Sequence, residues 1–216
     1  MRDLEELISR MCLAEPGVDS ADSKSWHAHR EAERLCDPEL LEAVKAYLAK
    51  KRGKHERKAA YFVLGKLGKN LSSKEAAHSL LQYVPTEMDK YALSTALDMI
   101  ADLPLKEDED LSLIANLLLD SRWLVRHAAI RALRSSTFPG AEENLIALLK
   151  STSDDHDKVY CQATLSVIGT ERSLPAIQAN VASRKRDVKA SAEGAIENIQ
   201  RRVAAHLHPE RSPCSR

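Results

Sequence analysis

The 216-residue chain carries 32 Lys+Arg against 32 Asp+Glu, so its formal net charge is zero, and only 4% of its residues are aromatic. A total so balanced argues against a strongly basic nucleic-acid binder and against a polyacidic tail protein. With seven glycines and eight prolines among abundant Ala, Leu, Glu, Lys and Arg, the composition points to helix rather than sheet in one substantial domain. The N-terminal residues, Met1 to Glu6, spread charges through the stretch where a signal peptide would be apolar. The greasiest run, Leu113 to Leu119, is broken by Asn116 and falls far short of the ~20 residues a membrane span needs. Cys12, Cys36, Cys161 and Cys214 are dispersed and form no Cys-x-x-Cys pair, which reads as reduced thiols in a cytoplasmic protein.

Apolar periodicity restarts about every 15 residues, the signature of short helices. Leu4, Leu7, Ile8, Met11 and Cys12 make the first stripe, which Glu15-Pro16-Gly17 ends. A second helix is expected behind Asp22 or Ser23, with Trp26, His29, Ala32 and Cys36 facing inward. Asp37-Pro38 offers a cap and a first-turn proline for Leu40, Leu41, Val44, Tyr47 and Leu48, and Gly53 breaks that helix. Ala59, Ala60, Val63, Leu64 and Leu67 follow as far as Gly68. Ser72-Ser73-Lys74-Glu75 then has the pattern of a capping box ahead of Ala77, Leu80, Leu81 and Val84. Thr86 is the expected cap for Met88, Leu93, Ala96, Leu97 and Ile100. Beyond Pro104 the acidic run Glu107 to Asp110 suits a helix start before Leu111, Ile114, Leu117 and Leu118. Ser121 opens a helix with Val125, Ala129, Ala132 and Leu133, and Pro139-Gly140 separates it from Leu145, Leu148 and Leu149. Ala163, Leu165 and Ile168 run to Gly169. The last pair carries Leu174, Ile177 and Val181, then Val188, Ala192, Ala195, Ile196 and Ile199. Periodicity is lost from about Ala204, where fraying is expected. Each stripe is too short to be stable alone, so each helix needs a neighbour.

The second helices of successive pairs fall into register. A basic residue recurs at Arg57, Lys90, Arg126, Lys158 and Lys189, in steps of 33, 36, 32 and 31 residues. Val63-Leu64, Ala96-Leu97, Ala132-Leu133, Thr164-Leu165 and Ala195-Ile196 are in phase downstream. Val125 to Leu133 (VRHAAIRAL) and Val188 to Ile196 resemble the second helix of the HEAT-repeat family in its bacterial short-repeat form. Cys161 and Thr164, and the missing leading Val of the Asp89 unit, depart from that pattern. The resemblance, over about Pro38 to Arg202, implies an all-α α-α superhelix, a HEAT-like solenoid. It divides the chain into an N-terminal helical cap (1–37), five helix pairs (38–203) and a frayed tail (204–216). Such folds serve many tasks, so the motif specifies architecture far better than function.

Two readings compete for the basic column: a structural ladder bonding each unit to the next, or a positive stripe facing an acidic protein partner or a phosphate backbone. On the second reading the partner-binding residues are Lys58, Tyr61, Tyr91, Arg126, His127 and Arg134, with Asp98, Glu193 and Glu197 diluting the stripe. Charge is also segregated along the chain. Residues 50–69 hold eight Lys/Arg against Glu56, residues 1–42 hold eleven acids against five bases, and residues 98–120 hold seven acids against one base. Trp123 to Ile130 is similar to a segment of alkylpurine DNA glycosylases built on HEAT-like repeats. That resemblance would make Asp98 the catalytic carboxylate and Tyr91 its aromatic neighbour, but the helix holding them lacks a Trp and its spacing fits poorly. Bilin lyases share the short repeats, yet nothing marks a chromophore pocket. His27, His29 and Cys36, like His206, His208 and Cys214, offer ligand types without metal-ligand spacing. The expectation is therefore a non-enzymatic, cytoplasmic protein-binding scaffold with no catalytic residue, cofactor, metal or membrane contact; nucleic acid is the alternative partner.

Overall fold

The computed structural model describes residues 2–207 apart from residue 108, and every regular element among them is helical. Helices α1 (Arg2–Met11) and α2 (Lys24–Ala32) form the first pair. Five pairs follow: α3 (Glu39–Leu48) with α4 (Lys54–Asn70), α5 (Lys74–Tyr83) with α6 (Lys90–Ala101), α7 (Ser112–Asn116) with α8 (Trp123–Ala132), α9 (Ala141–Ser151) with α10 (Asp155–Ile168), and α11 (Leu174–Gln178) with α12 (Arg186–Leu207). Within each pair the two helices pack together. The even-numbered helices also pack on one another in succession, α4 on α6, α6 on α8, α8 on α10 and α10 on α12, while α1 and α2 lean on α4. No helix among the described residues is long and apolar enough to cross a membrane.

The helices start where acceptors lie beside free backbone amides. Ser23 accepts from the Trp26 amide, Ser73 from Ala76, Asp89 from Tyr91 and Ala92, and Asp154 from His156 and Asp157. Asp37 Oδ1 accepts from the Glu39 amide at 3.0 Å. Two expected caps differ. Ser72 sits at φ 52 outside α5, so Ser73 is the cap and Glu75 turns to Lys45, 3.5 Å away. Thr86 is bypassed for Asp89, which leaves Met88 ahead of the helix and 80% exposed. One half of a capping box occurs instead at α4, where the Gly53 amide donates to Glu56 Oε2 at 2.7 Å.

The apolar stripes merge into one continuous core from Leu4 to Ile199. Trp26 does not join it, because α2 buries Ala28 and Ala32 and a residue two before Ala28 lies on the opposite side. Cys36 lies past the end of α2 and is exposed, and Ala163 points away from the side of α10 that buries Cys161, Thr164 and Leu165. At the tail, α12 runs to Leu207, and residues 208–216, the greater part of the expected frayed tail, lie outside the described residues. Helices α4 and α6 meet so closely that a Cβ on Gly65 would overlap Met99.

One buried group is out of place. Gln162 on α10 is fully buried, and neither its amide oxygen nor its amide nitrogen has a hydrogen-bond partner among the described residues. Burying an unpaired amide is unfavourable, so Gln162→Leu is expected to stabilise the chain by about 1 kcal/mol, read as a rise in the urea midpoint at constant slope.

Candidate binding groove

The basic column separates by residue type. Arg57 Nε and Nη2 donate to Glu87 at 2.7 and 2.8 Å, and its Nη1 donates to the Arg52 carbonyl. The Glu87 side chain is only 1% exposed. Burial alone would raise the Glu87 carboxyl, but the Arg57 bonds, the Asp89 amide and the Tyr61 hydroxyl outweigh it and hold the group below its usual range. Arg126 repeats the arrangement two helix pairs further on. Its Nε reaches both oxygens of Asp157 at 2.8 and 2.9 Å, Nη2 reaches Asp154 at 3.3 Å, and Nη1 donates to the Asp120 carbonyl. The lysines make no such bridge: Lys90 lies over the Tyr91 ring, while Lys158 and Lys189 pair with Asp155 and Glu193 of their own helices. The column is a structural ladder at its two arginines, solvent-facing at Lys90 and Lys189, and half-buried at Lys158.

This sorts the six sequence-selected contact residues. Tyr61 is buried with its hydroxyl on Glu87, and burial pushes that hydroxyl up. Arg126 is committed to Asp157. His127 is buried, its ring packed on Trp123 and Tyr160. Its Nε2 lies 3.0 Å from Asp157 Oδ1 at an angle too skewed for a hydrogen bond, and burial holds the imidazole below its ordinary value despite the two nearby aspartates. These three cannot meet a partner, because their phase on the helix turns them toward the next helix. Arg134 is exposed in the 3₁₀ turn Leu133–Ser135, beyond the far end of α8. Only Lys58 and Tyr91 are brought together.

They line a groove of about 340 Å³ between α4, α6 and α8, together with Lys90, Arg122 and Trp123. Tyr91 is 53% exposed and Trp123 59%. Arg122 is neutralised by Asp120, which it meets at 2.7 and 3.0 Å, and it ties the turn before α8 to the Met88 carbonyl at 3.0 Å. Lys58 and Lys90 have no carboxylate partner among the described residues, and no acid lines the groove. Sequence reasoning passed over Trp123 as a contact because a Trp at a helix start reads equally well as a packing residue.

Much of the charge segregation cancels between neighbouring units. Lys69 of the basic block meets Asp102 of the acidic block at 2.9 Å, and Arg52 meets Glu5. Burial raises the Asp98 carboxyl, and the carboxylate is committed to Arg131, whose Nε donates to it at 2.9 Å. Among the described residues His127, Asp154 and Asp157 bring three metal-ligand atoms within 4.8 Å of one another, but the Arg126 guanidinium already supplies the cation there. His27 and His29 spend ring nitrogens on the carbonyls of Ala21 and Ser25, and the side chains of His206, His208 and Cys214 lie outside the described residues.

No family model matches the chain, and no curated protein matches it in sequence. Among solved structures, an engineered protein determined by the Northeast Structural Genomics Consortium is similar, with a TM-score of 0.56 at 18% identity, over 93% of this chain and 98% of that one. Human deoxyhypusine hydroxylase in complex with glycerol matches at a TM-score of 0.32 and 14% identity, over 93% of this chain and 96% of that one. The first of these likenesses extends to the fold alone.

Two outcomes follow from the ladder. Arg126→Met strands the buried Asp157 carboxylate and is expected to cost about 3 kcal/mol, whereas Lys90→Met, in the same register, changes stability by less than about 0.5 kcal/mol; chemical denaturation of both variants measures the contrast. A histidine whose folded-state pKa lies below its unfolded value binds fewer protons when folded. Stability is therefore present above the ordinary imidazole value of 6.5 and lost as pH falls below it. The thermal midpoint is expected to drop between pH 7.5 and 5.5, and to drop less in His127→Gln.

Proposed function

We propose that this chain is a HEAT-like solenoid serving as a non-enzymatic protein-binding adaptor, and that the groove between α4, α6 and α8 receives an acidic segment of its partner. The register of Val125 to Leu133 and the succession of even-numbered helices, each packed on the next, support the solenoid reading. One observation carries the binding reading: two uncompensated lysines flank two half-exposed aromatic rings in a groove without acids. Tyr and Trp bury large area at little entropic cost, and unpaired cations steer an acidic partner toward them. Trp123 already packs at a tilt against His127, so the anchor is partly ordered before any partner arrives.

The test uses affinity capture on the full chain. Trp123→Ala and the double variant Lys58→Glu/Lys90→Glu are each expected to weaken capture of a shared partner at least about tenfold while leaving the far-ultraviolet circular dichroism unchanged. Retained capture in both removes the groove from the interface. Reversal at Arg126 would not serve, because it breaks the Asp157 clamp. A nucleic-acid ligand would instead show as duplex binding that falls steeply with salt. Release of an alkylated base, abolished by Asp98→Asn, would replace the adaptor reading with the glycosylase one.

A further inference from the structure

A second cavity, of about 660 Å³, lies between the α1–α2 pair and α4. Its lining includes Met11, Leu13 and Phe62, with His29 and His55 at its polar side, and no carboxylate. Leu13 is 44% exposed at its rim, an apolar side chain that the fold itself leaves uncovered. Two residues, Lys58 and Thr95, line both this cavity and the α4–α6–α8 groove, so the two are contiguous and Lys58 stands at the junction.

Resting on the adaptor reading, we propose that the two cavities form one site for a single extended acidic peptide, whose carboxylates meet Lys58 and Lys90 and whose apolar side chain enters the Met11–Leu13–Phe62 pocket. The N-terminal helix pair is then part of the binding surface rather than a cap alone. Packed helices stand about 8–10 Å apart and an extended chain advances about 3.3 Å per residue, so the two anchors lie about three residues apart. Charge favours a peptide over a nucleic-acid strand. The next cavity along the row, of about 420 Å³ between α10 and α12, sets Lys185 and Arg186 against Asp155 and Asp187. A strand carrying one phosphate per nucleotide needs positive charge that continues along its path, and the lining of the two cavities offers Lys58 and Lys90 as its lysines while its Arg122 is paired with Asp120. The apolar rim at Leu13 likewise has no use for a phosphate.

Fluorescein-labelled twelve-residue peptides of Gly and Ser test this. Each carries one Glu-Glu pair and one Leu placed one to eight residues from it, and binding to the full chain is read by fluorescence anisotropy. The expected result is a maximum near three residues, with affinity about tenfold lower when the Leu becomes Ser. Leu13→Glu should erase the dependence on Leu position, Lys58→Glu should remove binding, and Lys185→Ala in the α10–α12 cavity should change nothing. Leu13 is exposed, so its replacement leaves the fold intact, which circular dichroism checks. If Trp123→Ala and Lys58→Glu abolish binding but neither the position of Leu nor Leu13→Glu matters, the adaptor reading stands and the two-pocket site is overturned. No binding by any peptide overturns it too, as does tighter Lys58-dependent binding of a twelve-residue oligothymidine.

Discussion

A carboxylate sealed inside a protein must find a cation, and in this chain it finds one a full repeat earlier in the sequence. Glu87 is gripped by Arg57 and Asp157 by Arg126, across 30 and 31 residues. Neither pair need add much net stability, since desolvating both charges costs about what their attraction returns. Their consequence is registry. Sliding one helix along the next by a turn would strand a buried charge, whereas the apolar stripes would tolerate the slip. Neutral bonds repeat the theme at the same spacing: Thr164 donates to the Ile130 carbonyl and Ser191 to the Val159 carbonyl, 34 and 32 residues apart. Apolar burial drives the helices together, and these directional contacts select one way of stacking them.

The helical class, the order of the helices and most of the core were legible because a 3.6-residue period leaves a clear trace in Leu, Ile, Val and Ala. Boundaries were less so. Ser72 and Ser73 are chemically equal as caps, and the choice between them turns on a backbone angle at Ser72 that no pattern of residue types displays. Thr86 and Asp89 competed for one helix start, and the aspartate won because its carboxylate accepts from two amides at once. Trp26 was assigned inward on hydrophobicity, yet a helix that buries two alanines has no room on that side for an indole.

The candidate surface was legible only in part, for a reason specific to residues that recur in register. A column of basic residues in register shows where side chains recur but not whether they face the next helix or the solvent. Residue type decided it: guanidinium can fork onto a buried carboxylate, and ammonium at the equivalent place stays in water. Tyr61 and Tyr91 illustrate the same gap. Both are tyrosines on even-numbered helices, but one extends its hydroxyl to Glu87 in the interior and the other lies half exposed. No spacing argument separates them without knowing where Glu87 lies.

A net charge of zero conceals the local charge of the groove, because the pairing between helix pairs consumes charge unevenly. Arg52, Arg57 and Lys69 from the basic segment are neutralised by Glu5, Glu87 and Asp102 of other segments, and of the lysines left over in that segment Lys58 lines the groove beside Lys90. The groove's own surplus is small, two charges, but it sits where two aromatic rings are also unfinished. Trp123 in that groove touches His127, which lies against Asp157, the carboxylate that Arg126 clamps. The exposed anchor is thus continuous with the contact that sets the stacking of α8 on α10. Under the proposed reading, a ligand held by Trp123 bears on a helix-to-helix contact rather than on a loop, which lowers the cost of ordering the site.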